Sequence, residues 1–342
     1  MIALTVEALI PVVLLIALGH ALRRSMLTAE GFWSEAERLS YHVLLPALFL
    51  HSLATADTGD LPVRALAATL VTSTVAVAAL VVALRPLTRL KDDSFTSVFQ
   101  GSVRFNNYIG VTIAAGLYGT QGVAVAAVCN AAIVPTVNVL CVLVFARFGS
   151  ARPRLTGILR QLATNPLILA CAGGILLQAL DARLPPGIEP ALQALGAASM
   201  PLGLLCIGAA LRFGAARSWA VPIVTSSSVK FALMPAVTYL AARTFGLGSD
   251  ALIVAVLFQA LPTASSSYIM ARQLGGDAPL MAGITATQTL LGIAAVPLVL
   301  ALVRPSPCPR AFGSAPSSAP LRQPRFVRWR RTASVLAQRA RQ

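Results

Sequence analysis

Ten apolar runs follow one another along the chain: 4–22, 34–54, 65–84, 94–117, 121–145, 157–180, 189–211, 219–242, 250–271 and 280–303. Each is close to the ~20 residues that a helix needs to cross a bilayer. Nothing else in the sequence constrains the fold as strongly. In hydrocarbon every backbone polar group must find its partner inside the protein, so runs of this length are helices. Charged residues make up 11% of the 342 and hydrophobic ones 56%, whereas a soluble domain devotes about a quarter of its residues to charge. The chain therefore reads as an all-α integral membrane protein. Its loops are short and marked by Pro, Gly or Asp, as in "LPPGIEP" from Leu184 to Pro190.

The net charge of +15 does not point to nucleic acid, because nine of the 27 basic residues lie from Arg304 onward and most others sit in loops. Those loops alternate. Arg23/Arg24, Arg85/Arg89/Lys91, Arg147/Arg152/Arg154 and Arg212/Arg217 follow the first, third, fifth and seventh runs. The positive-inside bias places these loops in the cytoplasm and the N-terminus outside. Ten spans then put the arginine-rich C-terminus outside as well, against that bias; four loop clusters set the orientation over one late tail. The tail divides into a Pro/Ser/Ala-rich linker and a basic segment, "LRQPRFVRWRRTASVLAQRARQ". That segment either lies on an anionic membrane surface through Phe326, Val327 and Trp329 or is an unstructured extension. The first run has no basic n-region and ends in Arg23-Arg24, unlike a cleavable signal. Five cysteines without CxxC spacing predict no disulfide framework, and His20, His42 and His51 have no metal-ligand spacing. No phosphate-binding loop occurs, so ATP is not the expected energy source.

The two halves of the ladder echo each other. Pro11 and Pro166 stand 155 residues apart, as do Pro46 and Pro201. "FQGSVRFNNYI" at 99–109 in the fourth run is matched by "FQALPTASSSYI" at 258–269 in the ninth. A repeat with an odd number of spans enters the membrane upside down in its second copy, the inverted plan of many secondary transporters. The expected architecture is ten transmembrane helices as two inverted five-helix repeats with two broken crossover helices. Its segments are 1–147 for the first repeat, 148–156 for a cytoplasmic loop, 157–304 for the second repeat and 305–342 for the tail.

Both matched stretches are poor helix material in mid-span. Asn and Ser compete for backbone hydrogen bonds, and Pro262 lacks a donor. Non-helical backbone survives at membrane depth only where protein encloses it or a cavity is lined. Two breaks meeting near the midplane would aim half-helix N-termini at one point and favour an anion. Arg104 supplies a full charge and a fork that fits a carboxylate. Asn106, Asn107, Thr263, Ser265, Ser266 and Ser267 supply neutral hydrogen-bonding groups beside Pro262. The plainer reading is that these groups stitch helices together and that Arg104 snorkels to the cytoplasmic interface.

"RFNNYIG", the polar break "LPTASSSYIM" and the ten-run ladder with a short central loop resemble the auxin efflux carrier family, whose bacterial members include malate and malonate permeases. The resemblance covers about residues 1–304. It implies a five-plus-five inverted fold, with the first, second, sixth and seventh spans as a fixed scaffold and the remaining spans as a moving domain. It further implies substrate binding at the crossover, mapped here onto Asn106, Asn107, Tyr108, Thr263 and Ser265. Neither break contains Asn-Pro, and the central loop spans only about a dozen residues, so auxin itself is not the expected substrate.

Lys230 lies mid-span in "VTSSSVKFALMP". Such an ammonium needs a partner or a cavity; it either neutralises the substrate, replaces a coupling cation, or pairs structurally. Ser227 and Lys230 also form an S-x-x-K pair, the weak signature of an intramembrane Ser–Lys hydrolase. Gln100, Gln259, Asn130, Asn138 and Gln288 are buried amides, read as interhelical hydrogen-bonders with support of the site as the sharper alternative. The expectation is a non-enzymatic secondary transporter of the bacterial inner membrane, moving small organic anions such as malate or malonate, chiefly outward, by alternating access. It needs no cofactor or metal beyond a coupling H+ or Na+. Its partners are the substrate and the lipid bilayer, with a homodimer left open. A sodium-coupled anion importer of the bile-acid-symporter type is the alternative.

Overall fold

The computed structural model describes residues 2–55, 62–149, 160, 163–180, 182, 184–211, 219–264 and 266–303. Within them the protein is all-helical. The elements are α1 Ile2–Ser25, α2 Glu30–Leu39, α3 Leu45–Thr55, α4 Val63–Ala83 and the short α5 Arg85–Thr88. Next come α6 Asp92–Val103, α7 Asn107–Phe148, α8 Pro166–Ala179, α9 Ile188–Ala210 and α10 Ala220–Ser228. The last are α11 Met234–Thr244, α12 Ser249–Gln259, α13 Ser266–Leu274 and α14 Ala278–Leu302. Two π-helical turns, Ser40–Leu44 and Val229–Leu233, join α2 to α3 and α10 to α11.

Among the described residues six helical stretches are long and apolar enough to cross a membrane: Glu7–Ser25, Val63–Ala83, Asp92–Phe148, Ile188–Ala210, Ala220–Thr244 and Ala278–Leu302. Their outward faces carry the apolar side chains that lipid solvates, among them Leu14, Val221, Leu240 and Leu298, each at least 61% exposed. The buried positions hold an unusual load of Ser, Thr, Asn and Gln. Apolar outside with polar groups enclosed is what a bilayer as solvent selects.

The runs expected at 94–117 and 121–145 are helical and meet at a tight turn at Gly119. The helical range α7 holds the end of the first and the whole of the second, divided at Gly119, whose φ of 59° and ψ of −140° lie outside helical values. A backbone at positive φ costs Gly little and other residues more, so a single glycine makes the turn between the two helices. Packing follows close approach of small residues: α1 and α9 cross where Gly19 meets the Leu205 carbonyl and Gly208 meets that of Ile16. α3 packs on α8 and α9, while α4, α6, α10, α11, α12 and α14 pack among themselves. α7 touches both groups. The Tyr108 ring lies on the α9 backbone at Gly203, where no side chain stands between them. The arginine-rich tail and the loop 148–156, save Phe148 and Gly149, lie outside the described residues.

Candidate functional site at two touching helix breaks

The first break is three residues long. α6 stops at Val103, and Arg104 adopts extended backbone angles while its amide still bonds back to the Gln100 carbonyl at 2.8 Å. Asn106 restarts the chain as the N-cap of α7. Its side-chain oxygen accepts from the amides of Tyr108 at 3.1 Å and Ile109 at 3.3 Å. An Asn at this position satisfies donors that a helix start leaves orphaned, and here water is scarce. Part of the positive end of α7 is therefore spent on its own cap rather than left open to a ligand.

The second break runs from Ala260 to the start of α13 at Ser266. Pro262 offers no amide and disfavours helical angles at Leu261. The Thr263 amide donates instead to Gln288 Oε1 on α14, at 3.0 Å. The Thr263 and Ser267 hydroxyls lie 3.2 Å apart, and the Ser267 amide bonds the Ala264 carbonyl. Ser265 lies outside the described residues.

The breaks touch. A Cβ on Gly110, in the first turn of α7, would come within 2.6 Å of Leu261 Cδ1 and 3.0 Å of Phe258 Cε1. Phe105 and Phe258 meet edge to face with ring centroids 5.8 Å apart. Gln288 ties both breaks to a third helix: while accepting from Thr263 it donates to the Gly101 carbonyl and to Ser226 Oγ, each at 3.0 Å. One carboxamide thus serves α6, α10 and the second break.

Arg104 reaches across the crossing. Its Nη1 donates to Asn138 Oδ1 at 3.0 Å and approaches Met270 Sδ at 3.5 Å; its Nη2 donates to Ser266 Oγ at 3.3 Å. These partners are all uncharged, and Nε is buried without an acceptor among the described residues. The guanidinium is thus held by side chains of α7 and α13. Of the residues singled out in the sequence, Arg104, Asn107 and Ser266 are partly exposed, while Asn106, Tyr108, Pro262, Thr263 and Ser267 are buried. The open members form a cation beside a hydroxyl and an amide. The buried ones hold the backbone in shape.

The supporting amides divide. Gln259 Nε2 bonds Thr74 Oγ1 at 2.7 Å and also reaches Ser73 and the Leu70 carbonyl, fastening α12 to α4. Asn130 Nδ2 bonds the Ala126 carbonyl within its own helix. Among the described residues Gln100 has no partner at either amide atom, and Lys230 none at Nζ. Met270 is the member that sequence reasoning left out of the site, and Asn138 was named only among the amides that could support it. Asn138 announced itself only as an amide in an apolar run, and Met270 not at all.

Residues 150–300 match a family model described as "Membrane transport protein". The chain is similar to a Rhizobium meliloti protein named "Putative malonate transporter", with 26% identity over 284 residues, covering 78% of this chain and 86% of the relative. It is also similar to an uncharacterized transporter of Methanocaldococcus jannaschii, with 25% identity over 213 residues, 60% of this chain and 68% of that one.

Proposed function

We propose that the chain, similar as it is to membrane transport proteins, is a carrier of the auxin efflux carrier type and moves a small organic anion, a mono- or dicarboxylate such as malate or malonate, through the crossing of its two helix breaks. It is a multi-pass membrane transporter and not an enzyme. In this reading the helices form ten spans, arranged as two inverted five-helix repeats over 1–147 and 157–304. The first, second, sixth and seventh spans stand still in the bacterial inner membrane while the others rock, exposing the crossing to each side in turn, chiefly for export.

The observation that carries the proposal is Arg104. A guanidinium at a helix crossing, hydrogen-bonded among the described residues only to uncharged groups, is a costly arrangement that a bound carboxylate would complete. Ser266 and Asn107 stand beside it to read the remaining oxygens. The name of the Rhizobium meliloti relative agrees with a three-carbon diacid. Coupling to H+ or Na+ belongs to the proposal too, and a flux that stops without sodium would favour the importer alternative.

The test is radiolabelled malonate flux in proteoliposomes. Arg104→Ala is expected to lower it about 10- to 100-fold, the worth of one or two hydrogen bonds to a charge. Arg104→Lys keeps the charge, loses the fork and falls between. Unchanged flux in Arg104→Ala would end the proposal.

A further inference from the structure

Tyr108 differs from the other buried members of the crossing, because its side chain reaches past it. Its amide is fixed by the Asn106 cap at the start of α7. Its ring lies on α9, where a Cβ on Gly203 would stand 2.5 Å from Cε1 and Cγ. Glycine there offers bare backbone, over which a flat ring can slide with no side chains interlocked. The phenol oxygen lies among Ser40, Tyr41, Glu37 and Cys206. Ser40 opens the π-helical turn between α2 and α3, a local widening that concentrates at functional positions. Cys206 stands nearly one turn past Gly203 on α9 and packs with Trp33 and Ala36 of α2.

These neighbours lie toward one end of the protein. α2 follows Arg23/Arg24, and α9 runs on toward Arg212 and Arg217, so the positive-inside bias puts that end in the cytoplasm. Tyr108 belongs to the fourth span, and Ser40 and Gly203 belong to the second and seventh. In the carrier reading the ring therefore bridges a moving part and a fixed one. The Tyr108 and Ser40 hydroxyls are both buried, yet neither completes a hydrogen bond among the described residues. Buried polar groups in a permanent contact are normally satisfied; two neighbouring hydroxyls left unpaired make a contact that parts at little cost. We propose that Tyr108 is the cytoplasmic gate of the carrier. The ring seated on Gly203 shuts that side of the crossing, the hydroxyl meets Ser40 when the gate is drawn tight, and both leave α9 when the anion passes. This rests on the carrier reading and goes beyond it by naming the contact that opens.

Cys206 beside the gate is a built-in reporter, and the buried Cys129 and Cys171 are its controls. Purified protein in detergent is reacted with a sulfonated maleimide, and the labelled cysteine is identified by peptide mass. Without any substrate, Tyr108→Ala is expected to raise the rate at Cys206 at least about tenfold, leaving Cys129 and Cys171 within about twofold of wild type. Gly203→Ala drives the ring off α9 and should match it. Tyr108→Phe keeps the ring and loses the hydroxyl. That variant and Ser40→Ala should each give a smaller rise, with no further rise when combined, as one shared contact requires. A folded Tyr108→Ala with wild-type labelling overturns the gate, and so does an equal rise at all three cysteines, which marks a loosened core. Where Tyr108→Ala does not fold, the milder pair decides: additive effects, or none, overturn the proposal. Malonate separates the gate from the substrate reading, since it should speed Cys206 labelling in wild type and not in Arg104→Ala. A wild type indifferent to malonate removes that substrate, while the substrate-free comparison still decides the gate.

Discussion

The two breaks solve one problem by different means. The first, Arg104 to Asn106, carries its own remedy: Asn106 caps the helix it begins, and the interruption closes within three residues. The second is longer and borrows its remedy from elsewhere, since Gln288, 25 residues on and in another helix, takes the amide that Thr263 would otherwise bury unpaired. A self-capped break can travel as a unit with its own helix. A break held by a distant side chain is only as well placed as that helix. The difference predicts that damage to the first stays local, whereas damage to the support of the second spreads.

Gln288→Leu is expected to have the largest effect. It strands the Thr263 amide and the Gly101 carbonyl in a dry interior, at roughly 1–3 kcal/mol for each buried group left unmade, so a loss of about 2–6 kcal/mol and failure of transport follow. Gln288→Glu sharpens the comparison. It retains the acceptor for Thr263 but surrenders the amide donors to Gly101 and Ser226, so thermal unfolding should show an intermediate loss. Equal melting temperatures for wild type and Gln288→Leu would mean that the second break does not depend on α14.

Asn106→Ala ranks next. It removes one cap and costs about 1 kcal/mol, read as a drop of about 2–4 °C in melting temperature. Asn106→Asp keeps the accepting oxygen and should recover most of that stability. It also sets a carboxylate beside the crossing, so malonate flux should fall while the fold holds. Stability and transport would then separate at the first break and move together at the second.

The contrast also marks what the sequence discloses. Both interruptions were legible, because Asn-Asn, Pro262 and a run of Ser and Thr are locally incompatible with a helix in hydrocarbon, and Asn106 is a local cap. The partners were not. Arg104 meets Asn138 across 34 residues and Ser266 across 162, and no local pattern fixes which helix faces which. The turn at Gly119 was legible too: a glycine within "GLYGTQG" reads as the end of a run, and one residue at positive φ turns the chain there. Lys230 stood out at once as a cation among apolar residues. What two residues do alone can be read from the chain; what they do to each other needs the fold.

Pro262→Ala is expected to do least, and for an instructive reason. Proline is the conspicuous residue of the second break, and alanine restores the missing amide and favours a helix. If Pro262 alone held the break open, the substitution would let α12 run on toward Thr263 and pull Ser266 away from Arg104. Yet the Thr263 amide is already taken by Gln288, and extending the helix would leave Gln288 Oε1 buried without a donor. The amide of Thr263 should therefore stay where it is, with melting temperature shifted by no more than about 1 °C, the size of a change of a few tenths of a kcal/mol, and flux within about twofold. Combining Pro262→Ala with Gln288→Leu exposes the hidden propensity. With both restraints gone the segment is free to become helical, so the loss of transport should exceed the product of the single losses, with a coupling of about 0.5–3 kcal/mol between neighbours that act on one backbone. Strict additivity in that double variant would instead make proline and glutamine independent supports, and the two breaks more alike than their hydrogen bonds suggest.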